Sequence, residues 1–340
     1  MQTLYIDRKG AEVEVQGQRL TVRIPGVEKP FGVPLKVLEF LVVSAPVQFS
    51  STLLCQLTLA GITVVFLNPR KGDASCIAHG TLHNAADRRL LQYQLVSDVQ
   101  VRFELSVSLV RQKLRGQRAM LMRALRRRPE NRYILKNAID RLTIFDNRIE
   151  QAESLDSLRG IEGAGAAIYF NAYKSVFAPR LEFNGRNRRP PRDPVNVVLS
   201  LTYTLAHAEA VRALIACGFD PQLGVYHFPS FGRESLACDM VEIYRPMLEH
   251  WVWRLFASEY LRLDHFTVDP SCVKPCILGK TGRGLYYSAY EARARRLRRL
   301  MRRTARHWLQ VAREVNPYSD PVPTVNANGA GVEKLEWSNE

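Results

Sequence analysis

Ile62-Thr63-Val64-Val65-Phe66-Leu67, entered from Gly61, is a run of β-branched and apolar residues without polar alternation, the pattern of a buried strand. Upstream, Leu4-Tyr5-Ile6, Val13-Glu14-Val15, Leu20-Thr21-Val22-Arg23-Ile24 and Leu38-Glu39-Phe40-Leu41-Val42-Val43 are short β-rich runs. Lys9-Gly10, Gly17 and Pro25-Gly26 separate several of them as turn formers. Residues 51–60 read as one helix, capped by Ser50 or Ser51 and ended by Gly61. Beyond Gly80 the texture changes. Segments 84–98, 106–128, 131–150, 155–177, 194–217 and 235–260 carry apolar residues at spacings of three and four. The expected fold is therefore α+β: a small N-terminal antiparallel β-domain over 1–83 joined to a larger all-α domain over 84–315. A Pro-, Asn- and Gly-rich tail over 316–340 is expected to be disordered. No internal repeat is evident.

The chain has 340 residues, 46% of them hydrophobic, enough for real cores and too many for a chain that is mainly disordered. Lys and Arg number 48 against 33 Asp and Glu, a net charge of +15. A surplus of that size points to a polyanionic partner, nucleic acid foremost. The six cysteines, Cys55, Cys76, Cys217, Cys238, Cys272 and Cys276, form no CxxC pair, and Cys272 and Cys276 have no second pair at zinc-site spacing. They read as reduced, mostly buried thiols. Met1-Gln2-Thr3-Leu4-Tyr5 is no basic leader before an apolar core, and no apolar run reaches the ~18 residues of a membrane helix. The expected setting is the cytoplasm, with no membrane partner.

The positive charge is clustered. Arg111–Arg128 is a basic run on a predicted helix, and the loop from Arg186 to Arg192 adds Arg188 and Arg189. In the densest stretch, Arg295, Arg299, Arg302 and Arg306 share one stripe of a helical wheel, opposite Leu297, Leu300, Met301, Trp308 and Val311. Most charge runs are solvated helix faces. Here acids at i±4 are nearly absent, so an external anion is the more economical partner, and DNA fits better than a membrane surface.

Three polar sites stand out in the helical region: a glutamate, a histidine and a pair of acids. Glu162 sits in Leu158-Arg159-Gly160-Ile161-Glu162-Gly163-Ala164-Gly165, where small neighbours let another backbone or a substrate come close. His227 follows Gly224-Val225-Tyr226 and precedes a Pro/Gly loop, after which Ser235 can cap a new helix. On that helix Asp239 and Glu242 are spaced i, i+3 and share a face, about 5–6 Å apart at Cβ. Glu162, His227 and one or both of Asp239 and Glu242 would suit a divalent cation, Mn2+ or Mg2+, able to act on a phosphodiester. A lone His before a loop is more often a structural hydrogen-bonder, and an i,i+3 acid pair is more often surface.

These residues resemble the CRISPR-associated endonuclease/integrase family of spacer acquisition, CRISPR-associated protein one. Leu158–Gly163 followed by Tyr169-Phe170 is similar to its first metal-ligand motif, and Arg188-Arg189-Pro190-Pro191-Arg192-Asp193-Pro194-Val195-Asn196 through Tyr203 to its next helix start. Gly218–His227 is similar to its histidine motif, and Gly232–Pro246 to its acidic motif. Four motifs in the family's order make the resemblance specific, and it extends over about residues 1–310.

The resemblance implies a dimerising N-terminal β-domain and a helical catalytic domain. Glu162, His227 and Glu242 would be catalytic metal ligands, with Asp239 close by as a further ligand or DNA contact. Asn196, Tyr203 and Arg233 would shape or flank the site. Independently of the resemblance, the basic clusters make Arg188, Arg189, Arg295, Arg299 and Arg302, with Arg233, the expected contacts to double-stranded DNA. The implied reaction is metal-dependent transesterification, in which the 3′-hydroxyl of a short DNA fragment attacks a phosphodiester at a CRISPR repeat. The implied partner is the small CRISPR-associated protein two. The thirteen tyrosines sit in no recombinase signature. The same chemistry could serve a structure-selective nuclease on branched DNA, and a non-catalytic DNA-binding scaffold is the remaining alternative.

Overall fold

A computed structural model describes residues 2–67, 74–80, 86–187, 190–267 and 276–315. Seven strands and one helix come first: β1 (Gln2–Ile6), β2 (Glu12–Gln16), β3 (Arg19–Arg23), β4 (Phe31–Pro34), β5 (Leu38–Val43), α1 (Ser51–Leu59), β6 (Thr63–Leu67) and β7 (Ala74–Ala78). They form two sheets, ordered β2-β3-β4 and β1-β5-β6-β7. The first is antiparallel throughout, as expected. The second is mixed: β5 runs parallel to both β1 and β6, and only β6–β7 is antiparallel. For β5 and β6 the cause is α1, which lies between them in the chain and returns it in the same sense; β1 and β5 are joined instead through β2, β3 and β4. Every residue of Leu38–Val43 is buried, which is why that run shows no alternation. β4 and β7 were not foreseen, since Phe31-Gly32-Val33-Pro34 looks like a turn and β7 starts beside undescribed residues. Ser50 caps α1, its Oγ accepting from the Leu53 N–H at 3.1 Å.

Eight helices follow among the described residues: α2 (Ala86–Ser97), α3 (Val99–Leu125), α4 (Arg132–Thr143), α5 (Phe145–Glu150), α6 (Leu155–Tyr173), α7 (Pro194–Ala216), α8 (Ser235–Ala257) and α9 (Lys280–Val315). α3 starts seven residues before the expected 106, because Asp98 Oδ1 accepts from the N–H groups of Gln100 and Val101 at 2.9 and 3.0 Å. A short antiparallel pair, β8 (Phe266–Thr267) and β9 (Ile277–Leu278), precedes α9. α7 is buried nearly all round and packs on α8 and α9, while α3 packs on α6 and α8. Trp253, Tyr169, Tyr173, Tyr286 and Tyr290 fill the centre. No described helix is long and apolar enough to cross a membrane. The tail from Asn316 to Glu340, Arg188, Arg189 and Cys272 lie outside the described residues. Of the other cysteines, Cys217 and Cys276 are buried, Cys238 is partly covered, and Cys55 and Cys76 are exposed, so fewer are buried than expected.

Buried charge joins the helices to the sheets. The Arg298 guanidinium donates to Glu209 at 2.8 and 2.9 Å, to Glu291 at 2.8 and 3.0 Å, and to Thr3 Oγ1 at 2.7 Å. It thereby ties α9 to α7 and β1. Arg212 donates to Gly61 O at 2.7 Å and Thr63 Oγ1 at 3.0 Å, tying α7 to the start of β6. Arg302 differs from the expectation of an unpaired stripe: its Nη2 donates to Glu39 Oε1 at 2.7 Å, so β5 supplies the acid that α9 lacks. Arg295, Arg299 and Arg306 are exposed, and Leu297 and Met301 face the core, as the wheel requires.

Removing one member of a buried ion pair strands the other charge. Arg298→Met should therefore destabilise the protein by about 3–5 kcal/mol in chemical denaturation, and adding Glu209→Met should recover much of it. A loss below about 1 kcal/mol would show that this junction carries little of the fold.

Candidate active site

Three helices bring the polar residues together. Glu162 projects from α6, whose N-terminus is capped by Ser154 Oγ accepting from the Ser157 N–H at 3.1 Å. Small residues serve two sides of α6. Gly165 fits beneath Leu114 and Phe145, where an added Cβ would lie 2.7 Å from Leu114 Cδ2, whereas Gly160 and Gly163 face open space. Glu242 projects from α8. Between them stands Lys113 of α3, 7% exposed, its Nζ in contact with Glu162 Oε1 and 2.5 Å from Glu242 Oε2. Arg245 Nη1 lies 2.7 Å from the other Glu242 oxygen. Burial pushes the Glu242 carboxyl up, but the Arg245 guanidinium and the Lys113 ammonium, with His227 beyond them, overcome this and bring it from 4.5 to about 2. Burial likewise works against the Lys113 charge, and the two glutamates more than restore it.

His227 arrives from the other side on a loop held by one carboxylate. Asp239 has no exposed surface. Its Oδ2 accepts from the N–H groups of Val225 and Tyr226 at 2.8 and 3.1 Å, and its Oδ1 from the His227 N–H at 3.1 Å and His227 Nδ1 at 2.6 Å. Gly224 lets the backbone close this tightly, since a Cβ there would stand 2.8 Å from Asp239 Oδ2. The role expected of Asp239 as a metal ligand is thus not what its geometry offers. Both oxygens are spent on the loop, and the residue fixes the imidazole so that Nε2, on the far side of the ring, is the atom left to bind a metal. Ser235 is likewise not a cap. It lies inside the first turn of α8 and donates to Phe228 O at 2.9 Å, pinning the same loop.

Asn196 and Tyr203 stand one layer below. Asn196 is buried; its Oδ1 accepts from Arg186 at 2.7 Å, and its Nδ2 donates to Asp193 Oδ2 at 2.6 Å. Arg186 and Arg245 both lie over the Tyr203 ring, 5.4 and 4.8 Å from its centroid, and Tyr203 donates to the buried Glu249 at 2.6 Å. Among the described residues no hydrogen bond joins Asn196 or Tyr203 to Glu162 or Glu242; Tyr203 stacks against Arg245, which pairs with Glu242, while Asn196 holds Arg186 on the same ring.

Among the described residues no three His, Cys, Asp or Glu side chains stand close enough to hold a metal as they are placed. An ammonium occupies the space between the two carboxylates instead. The donor set nevertheless fits a divalent cation: two carboxylates, one oriented imidazole, and a positive group already standing between the acids. Glu162, Glu242 and His227 Nε2 are the residues that could hold it.

Sequence inspection missed several cations here. Lys113 recurs with Leu109, Val110, Leu114, Gln117 and Met120 on the buried face of α3, and a lysine at a core position was the available signal. Arg102 and Arg159 both lie over the exposed Phe228 ring, 4.8 and 4.6 Å from its centroid, beside the histidine. Arg233, by contrast already expected as a DNA contact, is exposed on the same loop and hydrogen-bonds Cys238. Farther along α3 and α8, burial and the charges of Arg123, Arg254, Arg293 and Arg127 lower His250 to about 4. None of these four arginines has a carboxylate partner among the described residues, so the basic surface continues away from the site.

Two outcomes follow for this geometry. The folded Glu242 carboxyl lies below its unfolded value, so its contribution to stability is complete above about pH 5 and is lost as pH falls toward 2. Glu242→Gln should flatten acid unfolding across that interval, and parallel wild-type and variant curves would contradict the assignment. Asp239→Asn should lower stability by about 1.5–3 kcal/mol in urea, whereas His227→Ala should cost much less; equal losses would mean that the loop does not hang on Asp239.

Residues 4–292 match the family model for CRISPR associated protein Cas1. A CRISPR-associated endonuclease Cas1 from Thermodesulfovibrio yellowstonii is 38% identical over 296 residues, covering 86% of this chain and 91% of the relative. Among solved structures, a Cas1 protein from Thermotoga maritima superposes with a TM-score of 0.80 at 20% identity, over 92% of this chain and 97% of that one. A casposase bound to integration product gives 0.78 at 19% identity, over 92% and 91%. A Cas6-RT-Cas1–Cas2 complex gives 0.77 at 20% identity, over 94% of this chain and 35% of the larger one. At these identities the structural likeness is one of fold, while the family match and the 38% identical relative identify the chain as a member of the Cas1 family of CRISPR-associated endonucleases.

Proposed function

We propose that the chain is a divalent-metal-dependent DNA integrase of spacer acquisition, with Glu162, Glu242 and His227 as its metal ligands. The observation that carries this is the convergence of two helix-borne carboxylates on one buried cation, beside an imidazole held by Asp239. Bound there, Mn2+ or Mg2+ would polarise a phosphodiester and neutralise charge on the leaving oxygen. Asp239 keeps the His227 ring in one orientation, Arg245 keeps Glu242 ionised, and the open face at Gly160 and Gly163 leaves room for a DNA strand. Arg102, Arg159 and Arg233 flank the site, and the exposed Arg295 and Arg299 extend the phosphate-binding surface. Arg188 and Arg189 belong to the same proposed interface. In the reaction, the donor's 3′-hydroxyl loses its proton and forms a bond to phosphorus. The repeat's own 3′-oxygen departs and is protonated, so the number of phosphodiesters is unchanged. No protein–DNA covalent bond is needed.

The strands between Gln2 and Ala78 would form the homodimer contact. CRISPR-associated protein two would be the further partner, supported by the likeness to a chain solved in a Cas1–Cas2 assembly.

The test is half-site integration into a repeat-bearing plasmid with 3′-hydroxyl or 3′-blocked donors, in Mn2+, Mg2+ or chelator. Joining should require the free hydroxyl and the metal. Glu162→Ala and His227→Ala should each reduce it by at least ~100-fold while duplex binding persists. Arg299→Ala should instead weaken duplex binding and lower its salt slope by about one. Cleavage without joining for every donor would favour a nuclease on branched DNA, and joining that survives chelation would remove the metal.

A further inference from the structure

We propose that Lys113 is the site's resident counter-ion: it holds Glu162 and Glu242 together in the metal-free protein, and a divalent cation gains those carboxylates by displacing it. This rests on the metal-site assignment above and adds a residue whose role is opposite to that of a ligand.

A lysine ammonium is seldom buried without carboxylate partners, because desolvation penalises the charge. Lys113 is 7% exposed, and both glutamates lie against the same Nζ. Among the described residues it is the one cation that touches both acids, for Arg245 reaches only the second oxygen of Glu242. Two carboxylates so placed would repel each other if Lys113 were neutral or absent. With Lys113 and Arg245 present, two negative charges meet two positive ones and the metal-free site is balanced.

The balance is replaceable at one point only. Arg245 is planar, stacked on Tyr203 and set three residues from Glu242 on the same helix. Lys113 is a single charge on a flexible four-carbon stem reaching across from α3. Its contact with Glu242 Oε2 also lacks the alignment of a hydrogen bond, and that oxygen is left without a hydrogen-bond donor. A divalent ion needs no such directionality and carries twice the charge, so it can take both carboxylates from the ammonium. The ammonium then competes with every metal that enters, and the protein stays folded and assembled while it waits for one.

The test is Mn2+ binding to the full chain without DNA, read from the paramagnetic resonance signal of the free ion. Lys113→Gln should bind Mn2+ about ten-fold more tightly than wild type, equivalent to about 1.4 kcal/mol. Lys113→Arg, which keeps the charge, should not. Metal-free Lys113→Gln should also melt lower than wild type, and Mn2+ should raise its Tm more. A second measurement uses the unaltered protein: Mn2+ should expose Lys113 to amine acetylation, followed by mass spectrometry. Lys113→Gln binding no more tightly than wild type, or Lys113 acetylation unmoved by Mn2+, overturns the counter-ion role. Glu162→Gln separates the two claims. If it abolishes Mn2+ binding while Lys113→Gln fails to tighten it, only the counter-ion role falls. If it leaves Mn2+ binding intact, the carboxylate site falls, and this inference with it.

Discussion

The Asp239 carboxylate, buried without any exposed surface, takes two donors on each oxygen and so converts a loop into a rigid arm. Three of those donors are consecutive backbone N–H groups, from Val225 to His227, and the fourth is the imidazole itself. A buried carboxylate is costly unless each lone pair is used, and this one is. The consequence is local and chemical at once: the backbone from Val225 to His227 is tied to α8, and His227 is left to present Nε2. Gly224 is part of the same device, since any side chain there would strike the carboxylate.

Around that arm the molecule places charge in layers. Lys113 and Arg245 neutralise the two glutamates, Arg186 and Arg245 both lie over the Tyr203 ring, and Glu249 accepts from the Tyr203 hydroxyl. Farther out, Arg298 and Arg302 use acids from α7 and β5 to fasten α9 to the rest. Arginines close to the core are thus spent on structure. Those at Arg123, Arg127, Arg254 and Arg293 are left without acids among the described residues, as a polyanion-binding surface requires. Among the described residues the two buried cations, Lys113 and Arg298, are both paired with acids, whereas Arg295, Arg299 and Arg306 are exposed.

Much of this was legible in the sequence, and the gaps have physical causes. Helix spacing located α6, α7 and α8 within a few residues, because apolar periodicity is a local signal. Glu162, His227 and Glu242 stood out because each is polar where its neighbours are small, apolar or turn-forming. The i,i+3 spacing of Asp239 and Glu242 showed that they share a helix face, but not that a distant backbone loop uses up the first. The helical wheel showed Arg302 on a basic stripe, but Glu39 lies 263 residues away in the chain and no wheel contains it. The parallel sense of β5 and β6 depends on where α1 crosses, which strand patterns do not encode. Lys113 was passed over as one more base in a basic helix, although its position among Leu109, Val110 and Leu114 marks it as buried.

The proposed function requires one divalent ion between α6, α8 and the histidine loop. Anomalous diffraction from crystals soaked in Mn2+ tests it most directly. A single strong peak is predicted between the carboxylates of Glu162 and Glu242, within bonding distance of His227 Nε2, with the Lys113 ammonium withdrawn from both acids. No peak there, with Lys113 still bridging the glutamates at saturating Mn2+, would contradict it.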